Sequence, residues 1–536
     1  MCAKQYRQLV EDHRWQTPET FNFGADVVDA WARNDDHEAL IWTNAAGETR
    51  RFKFSDIAEL TDRFASVLQA RGLSKGDRII IMLPRSPEWM VAMVAASKAG
   101  LIAIPCIEML TARDLTYRVL NSQARGIVCR GEHAGKFAGL PTGSAAVRIA
   151  LDAPSGWLDF ASQLREASGI YTPARLGADE PAIMYYTSGS TGSPKGVLHA
   201  SRALHAWRYS AVYWLDLKPT DTIWCTADTG WSKAGTSILF GPWSCGARVF
   251  LYDGPFDPIE RVKTLIRHAV TVYCAPATEL SRVADAAMDL ESLVLRRVVS
   301  AGEAVSPAIA SRWQDATGLR VDEGYGQTEA LMLALNYPGE AVTLGSMGRP
   351  APGCDLAVID DDGRRLPPDM EGDLALGAPN PQLMLGYWQE PERTESCFRN
   401  GPEGRWYLTG DRARVDGNGY LWYCGRSDDV INSAGYRIGP TEVESVLSEH
   451  PSVESCAVVG RPDSERGEIV TAYVVLRPGY RPSPDLTRAL QDHAKKMTAP
   501  YKYPRAIEFI DRLPMTPTGK IRRRELRDRE RRRVAG

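Results

Sequence analysis

Apolar residues along the chain fall into short unbroken runs separated by stretches of helical spacing. Arg78 to Leu83 is one such run, set off by the turn Gly76-Asp77, and it reads as a buried strand. Before it, Phe21 to Asp36 reads as an entry helix. Ala39 to Trp42 and Glu48 to Phe54 read as a hairpin about Asn44 to Gly47. Ser55 opens a helix whose apolar positions continue through Phe64, Val67 and Leu68, with Glu59 one residue beyond capping-box spacing. After it come a helix over Glu88 to Lys98, a strand over Ile102 to Pro105, a helix over Ala112 to Ser122 and a strand over Gly126 to Cys129. This alternation predicts an α/β fold with helices against mostly parallel sheets.

The same rhythm continues through a strand from Pro181 to Tyr186, an aromatic helix from Ser201 to Tyr213 and a strand from Thr222 to Cys225. Ala234 to Phe240 reads as a closely packed helix, and Arg248 to Leu251 and Val270 to Cys274 as strands. Near Asp411 the pattern changes. Ala413 to Val415 and Tyr420 to Tyr423 flank the hairpin turn Gly417-Asn418-Gly419. A helix over Thr441 to Leu447, strands over Val453 to Gly460 and Glu468 to Leu476, and a helix over Asp485 to Lys496 make an α+β domain of roughly a hundred residues. At 536 residues the chain exceeds what one core usually serves, so more than one domain is expected.

Composition narrows the function classes. The net charge of -3 gives no global attraction to nucleic acid or an anionic membrane, so neither is an expected partner. Ten cysteines lie scattered without paired metal-ligand spacing, which suits buried thiols in a reducing compartment, and the expected location is cytoplasmic. Met1 to Phe21 lacks the apolar core of a signal peptide. Trp89 to Ile107, interrupted by Lys98, Gly100 and Pro105, reads as a buried helix running into a strand, not as an integral membrane span. The basic run Arg522 to Arg533 contains Glu525, Asp528 and Glu530, and reads as a solvated helix or a frayed tail.

Several runs carry candidate chemistry. Thr187-Ser188-Gly189-Ser190-Thr191-Gly192-Ser193-Pro194-Lys195-Gly196 gathers hydroxyls, glycines and one lysine behind an apolar strand. Glycines let backbone N–H groups wrap an oxyanion, and a lysine adds a point charge suited to phosphate. The spacing is not that of a P-loop, in which Gly-Lys is followed at once by Ser or Thr. On composition alone the run equally describes a surface turn. Asp322-Glu323-Gly324-Tyr325-Gly326-Gln327-Thr328-Glu329 offers carboxylates of the kind that recruit Mg²⁺ beside a triphosphate. It also fits a turn with a helix N-terminus. Ser300-Ala301-Gly302-Glu303, Tyr407-Leu408-Thr409-Gly410-Asp411, Gly425 to Ile438 and Pro517-Thr518-Gly519-Lys520-Ile521 complete the set. Singly, the first two read as turns, Gly425 to Ile438 with its charged start as a solvated interdomain joint, and Lys520 as a solvent-facing lysine.

In this order the runs resemble the adenylate-forming superfamily over nearly the whole chain, most of all the acyl-CoA synthetases of the medium-chain group. The resemblance implies a large α/β N-terminal domain of several subdomains with mixed sheets, residues 1–427, and a small mobile α+β C-terminal domain, residues 428–536. It implies an AMP-forming ligase whose substrates are a carboxylic acid, ATP and coenzyme A, with Mg²⁺. By motif, Thr187, Ser188, Gly189, Ser190, Thr191, Gly192 and Lys195 would hold phosphate. Gly302, Glu303, Asp322, Glu323, Gly324 and Tyr325 would line the nucleotide cleft. Thr328 would contact phosphate, Glu329 would hold Mg²⁺, Asp411 would take the ribose hydroxyls and Arg426 would contact nucleotide. Lys520 would be the catalytic lysine of adenylation and Asp428 the hinge, with Ser433, Gly435 and Arg437 on the CoA side.

Small-acid acetyl-CoA synthetases carry a bulky Trp where this chain has Gly326. The glycine would open the acyl pocket, walled by Trp207, Trp231 and Leu331, to medium-chain, branched or aromatic acids. Three other readings stay open: acyl transfer to a carrier-protein thiol, a luciferase-like oxygen-using enzyme, and a nucleotide-binding protein without catalysis. A homodimer is kept as one expected assembly.

Overall fold

The computed structural model describes residues 3–535 apart from 188–193, 287–289, 291, 303–304, 341–343, 428, 430, 434–435, 464–465, 498–501 and 517–520. The backbone packs into two compact units, Met1–Leu356 with Gly377–Phe398, and Ala357–Leu376 with Arg399–Gly536. This grouping is one of packing, whereas the expected boundary between residues 427 and 428 concerns a joint.

The first unit is built on two sheets. Among the described residues, one has eight strands in the order Gly386–Tyr387, Lys195–Ala200, Pro181–Thr187, Ile102–Pro105, Arg78–Met82, Gly126–Arg130, Val147–Leu151, Leu158–Asp159. Its central strands are parallel, and the pair Pro181–Thr187 with Lys195–Ala200 is antiparallel. The other sheet has nine strands, with Thr222–Cys225, Val272–Cys274, Arg297–Ala301 and Val321–Gln327 in parallel. Val321–Gln327 then turns back antiparallel into Leu331–Leu335. The expected α/β class with mixed sheets is what the unit shows.

Local chemistry explains the helices. Thr111 Oγ1 accepts from the Asp114 N–H while Asp114 accepts from the Thr111 N–H, a capping box that starts Ala112–Ser122. Helix Phe54–Ala70 is capped by Asp56, which accepts from the Lys53 N–H at 2.8 Å, while Glu59 pairs with Arg63 instead. Ser86 caps Pro87–Lys98, with Pro87 in the first turn. Every residue of that helix but Glu88 is buried, and it leads through Gly100, at φ +67, into the strand Ile102–Pro105. A helix apolar on all sides needs neighbours on all sides. Among the described residues no helix is long and apolar enough to cross a membrane.

The second unit holds two five-stranded sheets among its described residues. In one, Gly404–Val415 pairs with Leu421–Arg426; in the other, Val453–Asp463 pairs with Gly467–Leu476. The basic C-terminal run is a docked helix, Arg523–Ala535, not a frayed tail. Leu526 is buried in a small apolar cluster with Ala457, Val459 and Tyr473. Two of its charges are paired within the unit: Glu530 is buried against Arg461 and Tyr473, and Arg523 pairs with Glu444 at 2.6 Å.

Candidate active site

The glycine-rich run joins the antiparallel strands Pro181–Thr187 and Lys195–Ala200, and Thr187 stands opposite Lys195 in the register. Lys195 is therefore fixed at the foot of the run. Ser188, Gly189, Ser190, Thr191 and Gly192 lie outside the described residues.

Thr328 and Glu329 occupy the tight turn between Val321–Gln327 and Leu331–Leu335, so the helix N-terminus that the run also fitted does not form. The turn brings Glu329 to the lysine. Lys195 Nζ is 2.8 Å from Glu329 Oε1 and donates to the Tyr387 hydroxyl at 2.5 Å. That hydroxyl in turn donates to Glu329 Oε1 at 2.9 Å. Burial pushes the Glu329 carboxyl up, but the Lys195 ammonium and the Tyr387 hydroxyl outweigh it and hold the group below its ordinary value. Burial and the neighbouring Glu329 push the Tyr387 phenol far above its ordinary range, so it keeps its proton and remains a donor.

Thr328 is held from two sides. His199 Nε2 donates to its carbonyl at 2.7 Å, and Ser232 Oγ lies 3.2 Å from its Oγ1. Burial pushes His199 down to about 4, so the ring is neutral at physiological pH with its proton on the nitrogen facing the carbonyl. Lys233, next to Ser232, donates to the Ala301 carbonyl at 3.0 Å. The turn after Arg297–Ala301, the 328–329 turn and the helix start at Ser232 are thus tied together.

The Asp322 to Glu329 run does not act as one surface. Asp322 is buried, with Arg297 at 2.6 Å and Arg320 at 2.8 Å on its carboxylate. Its side chain braces the sheet and is not presented to a nucleotide, because alternate residues of a strand face opposite sides. Glu323 accepts from the Val305 N–H at 2.8 Å, and burial pushes its carboxyl up to about 7. Gly324 leaves room for Trp214 and Met332, whose atoms would lie 2.9 and 2.4 Å from an added Cβ. Tyr325 is half-buried in the same strand. Gly302, at φ +96, has no atom of the described residues within 4 Å of an added Cβ. Glu303 lies outside the described residues.

Gly326 has a structural reason of its own. An added Cβ would stand 1.9 Å from the Leu331 carbonyl oxygen, across a register shift between the two strands. Leu331 is itself at φ +54. Trp231 is half-buried at the start of Ser232–Ala234, whereas Trp207 is fully buried against His199 and Phe240.

In the second unit, Asp411 and Arg426 are register partners on adjacent strands, and Arg426 Nη1 donates to Asp411 Oδ1 at 3.0 Å. Gly410, at φ +72, lets the guanidinium approach, since Arg426 Nη2 would be 2.9 Å from an added Cβ. Ser433 is buried in the strand Ile431–Ser433, and the backbone sets Arg437 in Tyr436–Ile438 opposite Asn432. Asp428, Gly435 and Lys520 lie outside the described residues.

Ser232 and Tyr387 were missed by sequence reasoning. Ser232 adjoins Trp231, which a motif did single out. Nothing local marks Tyr387, which is 192 residues from Lys195 and 58 from Glu329.

Residues 27–388 match the model of the AMP-binding enzyme family, and residues 442–520 match that of the AMP-binding enzyme C-terminal domain. The human mitochondrial acyl-coenzyme A synthetase ACSM3 is 39% identical over 98% of this chain and 92% of its own. A Brucella canis acyl-CoA synthetase superimposes with a TM-score of 0.76 at 31% identity, covering 99% of both chains. The anthranilate CoA ligase AuaEII, solved with anthranoyl-AMP, gives 0.84 at 28% identity over 100% of both. The expected cytoplasmic location does not stand, because the curated relatives are named as mitochondrial. The chain belongs to the AMP-binding enzyme family.

Proposed function

We propose that the protein is an acid–thiol ligase that makes acyl-CoA in two steps. A carboxylate attacks the α-phosphorus of ATP, forming an acyl-adenylate and releasing pyrophosphate. The CoA thiol then attacks the mixed anhydride and releases AMP. The observation that carries this reading is the Lys195–Glu329 pair at the foot of the glycine-rich run, within a chain of this family. Relatives named as acyl-CoA synthetase and as anthranilate CoA ligase support a carboxylic acid and CoA over a carrier-protein thiol.

Lys195, Thr187 and Thr328 would meet the phosphates, and Asp411 with Arg426 the ribose side of the nucleotide. A buried carboxylate held ionised fits a hard cation, and Lys195 already supplies it with one positive partner. Glu329 would hold Mg²⁺, which would supply positive charge beside the leaving pyrophosphate. Lys520 would stabilise the charge developing at the α-phosphate, and a joint at Asp428 would exchange Lys520 for Ser433, Gly435 and Arg437 between the two steps. Medium-chain, branched or aromatic acids are the proposed substrates.

The test is a panel of such acids assayed for AMP release. AMP formation should require acid, CoA and Mg²⁺ together. AMP formation that ignores the acid, or its absence with every acid tried, would remove the reading.

A further inference from the structure

Tyr387 belongs to none of the runs that pointed to nucleotide, yet the segment around it is clipped to both members of the Lys195–Glu329 pair. The Trp388 N–H donates to the Gly196 carbonyl at 2.7 Å, and the Leu385 N–H to the Leu198 carbonyl at 2.7 Å. Both bonds hold the segment to the strand that starts at Lys195. The Met384 N–H donates to the Glu329 carbonyl at 2.8 Å, which holds the same segment to the turn that carries the carboxylate. Tyr387 sits between these clips. Its own N–H donates to Thr394 Oγ1 at 2.9 Å, and Gly386, at φ +152, leaves no room for a Cβ beside Thr394. The ring lies under Lys195, with Nζ 4.1 Å from its centroid.

The hydroxyl therefore meets the pair with its geometry already set. It accepts from Lys195 and donates to Glu329; the lysine and phenol contacts both fall on Oε1, and the carboxylate also accepts from its own backbone N–H. Neither the lysine nor the phenol contact falls on Oε2, the other oxygen. An ammonium and a carboxylate left to themselves close into a pair in which each satisfies the other. Here the pair is in direct contact, and the phenol beside it also takes one donor of the lysine and one lone pair of the acid.

We propose that Tyr387 is a positioning residue for the phosphate and metal end of the site, holding Glu329 through Oε1 so that Oε2 faces an incoming cation. When Lys195 turns toward phosphate, the phenol still donates to Glu329 and keeps the carboxylate in place. The inference rests on Glu329 as metal ligand and Lys195 as phosphate contact. It adds a residue that acts through them and does not touch substrate. Groups that orient a metal ligand from behind commonly set metal affinity by about 10–100-fold.

The test uses the full chain without turnover. ATP is titrated calorimetrically with no acid and no CoA, with and without Mg²⁺, into the wild type, Tyr387→Phe, Glu329→Gln and the double variant. Tyr387→Phe keeps the ring and removes only the hydroxyl. It should lose about 10–100-fold of the Mg²⁺-dependent gain in ATP affinity and leave metal-free affinity at the wild-type value. In the Glu329→Gln background the same change should add nothing. Thr394→Val, which frees the Tyr387 backbone but spares its hydroxyl, should show the same signature in smaller measure. A wild-type Mg²⁺ gain in Tyr387→Phe, an equal loss with and without metal, or full additivity with Glu329→Gln would overturn the proposal. A wild type with no Mg²⁺ gain at all would instead overturn the metal-ligand reading beneath it.

Discussion

Lys98 and Lys195 both lie beside carboxylates in the first unit, and they differ in how far each is closed off. Lys98 is 0% exposed, with Asp29 and Asp62 each at 2.6 Å and the Ala58 carbonyl at 3.2 Å. Two hydrogen bonds, to Asp62 and the Ala58 carbonyl, and an ion pair with Asp29 surround the ammonium, and the group is closed. Gly24 packs so tightly on the stem that an added Cβ would stand 2.3 Å from Lys98 Cγ. Lys195 and Glu329 keep side-chain exposures of 17% and 10%, and Lys195 meets one carboxylate and one phenol. Among the described residues, two of its donors are thus matched, and Nζ lies 4.1 Å from the centroid of the phenol ring at the foot of a glycine-rich run. A lysine closed on every side holds the fold, and one left partly exposed can take a ligand.

The largest expected effect attacks the closed site. Lys98→Met removes a fully buried counter-charge from Asp29 and Asp62, which are 15% and 22% exposed, and should cost ~3–5 kcal/mol in a urea melt, as broken buried pairs do. ATP–pyrophosphate exchange per folded molecule should not change. A cost under ~1 kcal/mol, the range of exposed pairs, would break the contrast.

Acid sharpens the contrast further. His199 and His205 are both pushed down to about 4 by burial, from an ordinary 6.5. In that window the unfolded chain binds a proton at each ring and the folded chain does not, so stability falls as pH falls from 6.5 toward 4. Each ring contributes ~3 kcal/mol over the full window, at about 1.4 kcal/mol per unit. Melts across this range should show the slope, and His205→Asn should remove its share. A flat profile, or an unchanged slope in the variant, would show that the rings titrate in the fold.

The smallest effect concerns Gly326. If backbone approach explains the glycine, Gly326→Ala should cost ~1–3 kcal/mol by crowding the Leu331 carbonyl, with the ranking of acids preserved. A shift toward shorter acids without loss of stability would return Gly326 to the pocket-volume reading.

The helices and strands were legible where local chemistry decides them. Thr111 and Asp114 cap Ala112–Ser122 at the expected residue, and the apolar block after Arg78 is the buried strand it looked like. The resemblance pointed to Lys195 and Glu329, and the fold brings them to 2.8 Å. It also drew in Asp322, because a motif read as a string ignores that neighbouring strand residues face opposite ways; its carboxylate belongs to Arg297 and Arg320. Tyr387 was illegible because its role arises from a pairing of Gly386–Tyr387 with Lys195–Ala200 that no local pattern announces. Gly326 looked like missing pocket volume because the nearness of the Leu331 carbonyl depends on a register shift in the hairpin.

We take the Lys195–Glu329 pair as the phosphate and metal end of an adenylation site. ATP–pyrophosphate exchange measured without CoA, comparing the wild type with Glu329→Gln, tests it most directly. The wild type should exchange only when a carboxylic acid is present, and the variant should lose about two to three orders of magnitude while melting as the wild type does. Exchange undiminished in Glu329→Gln, or absent from the wild type with every acid, would contradict the account.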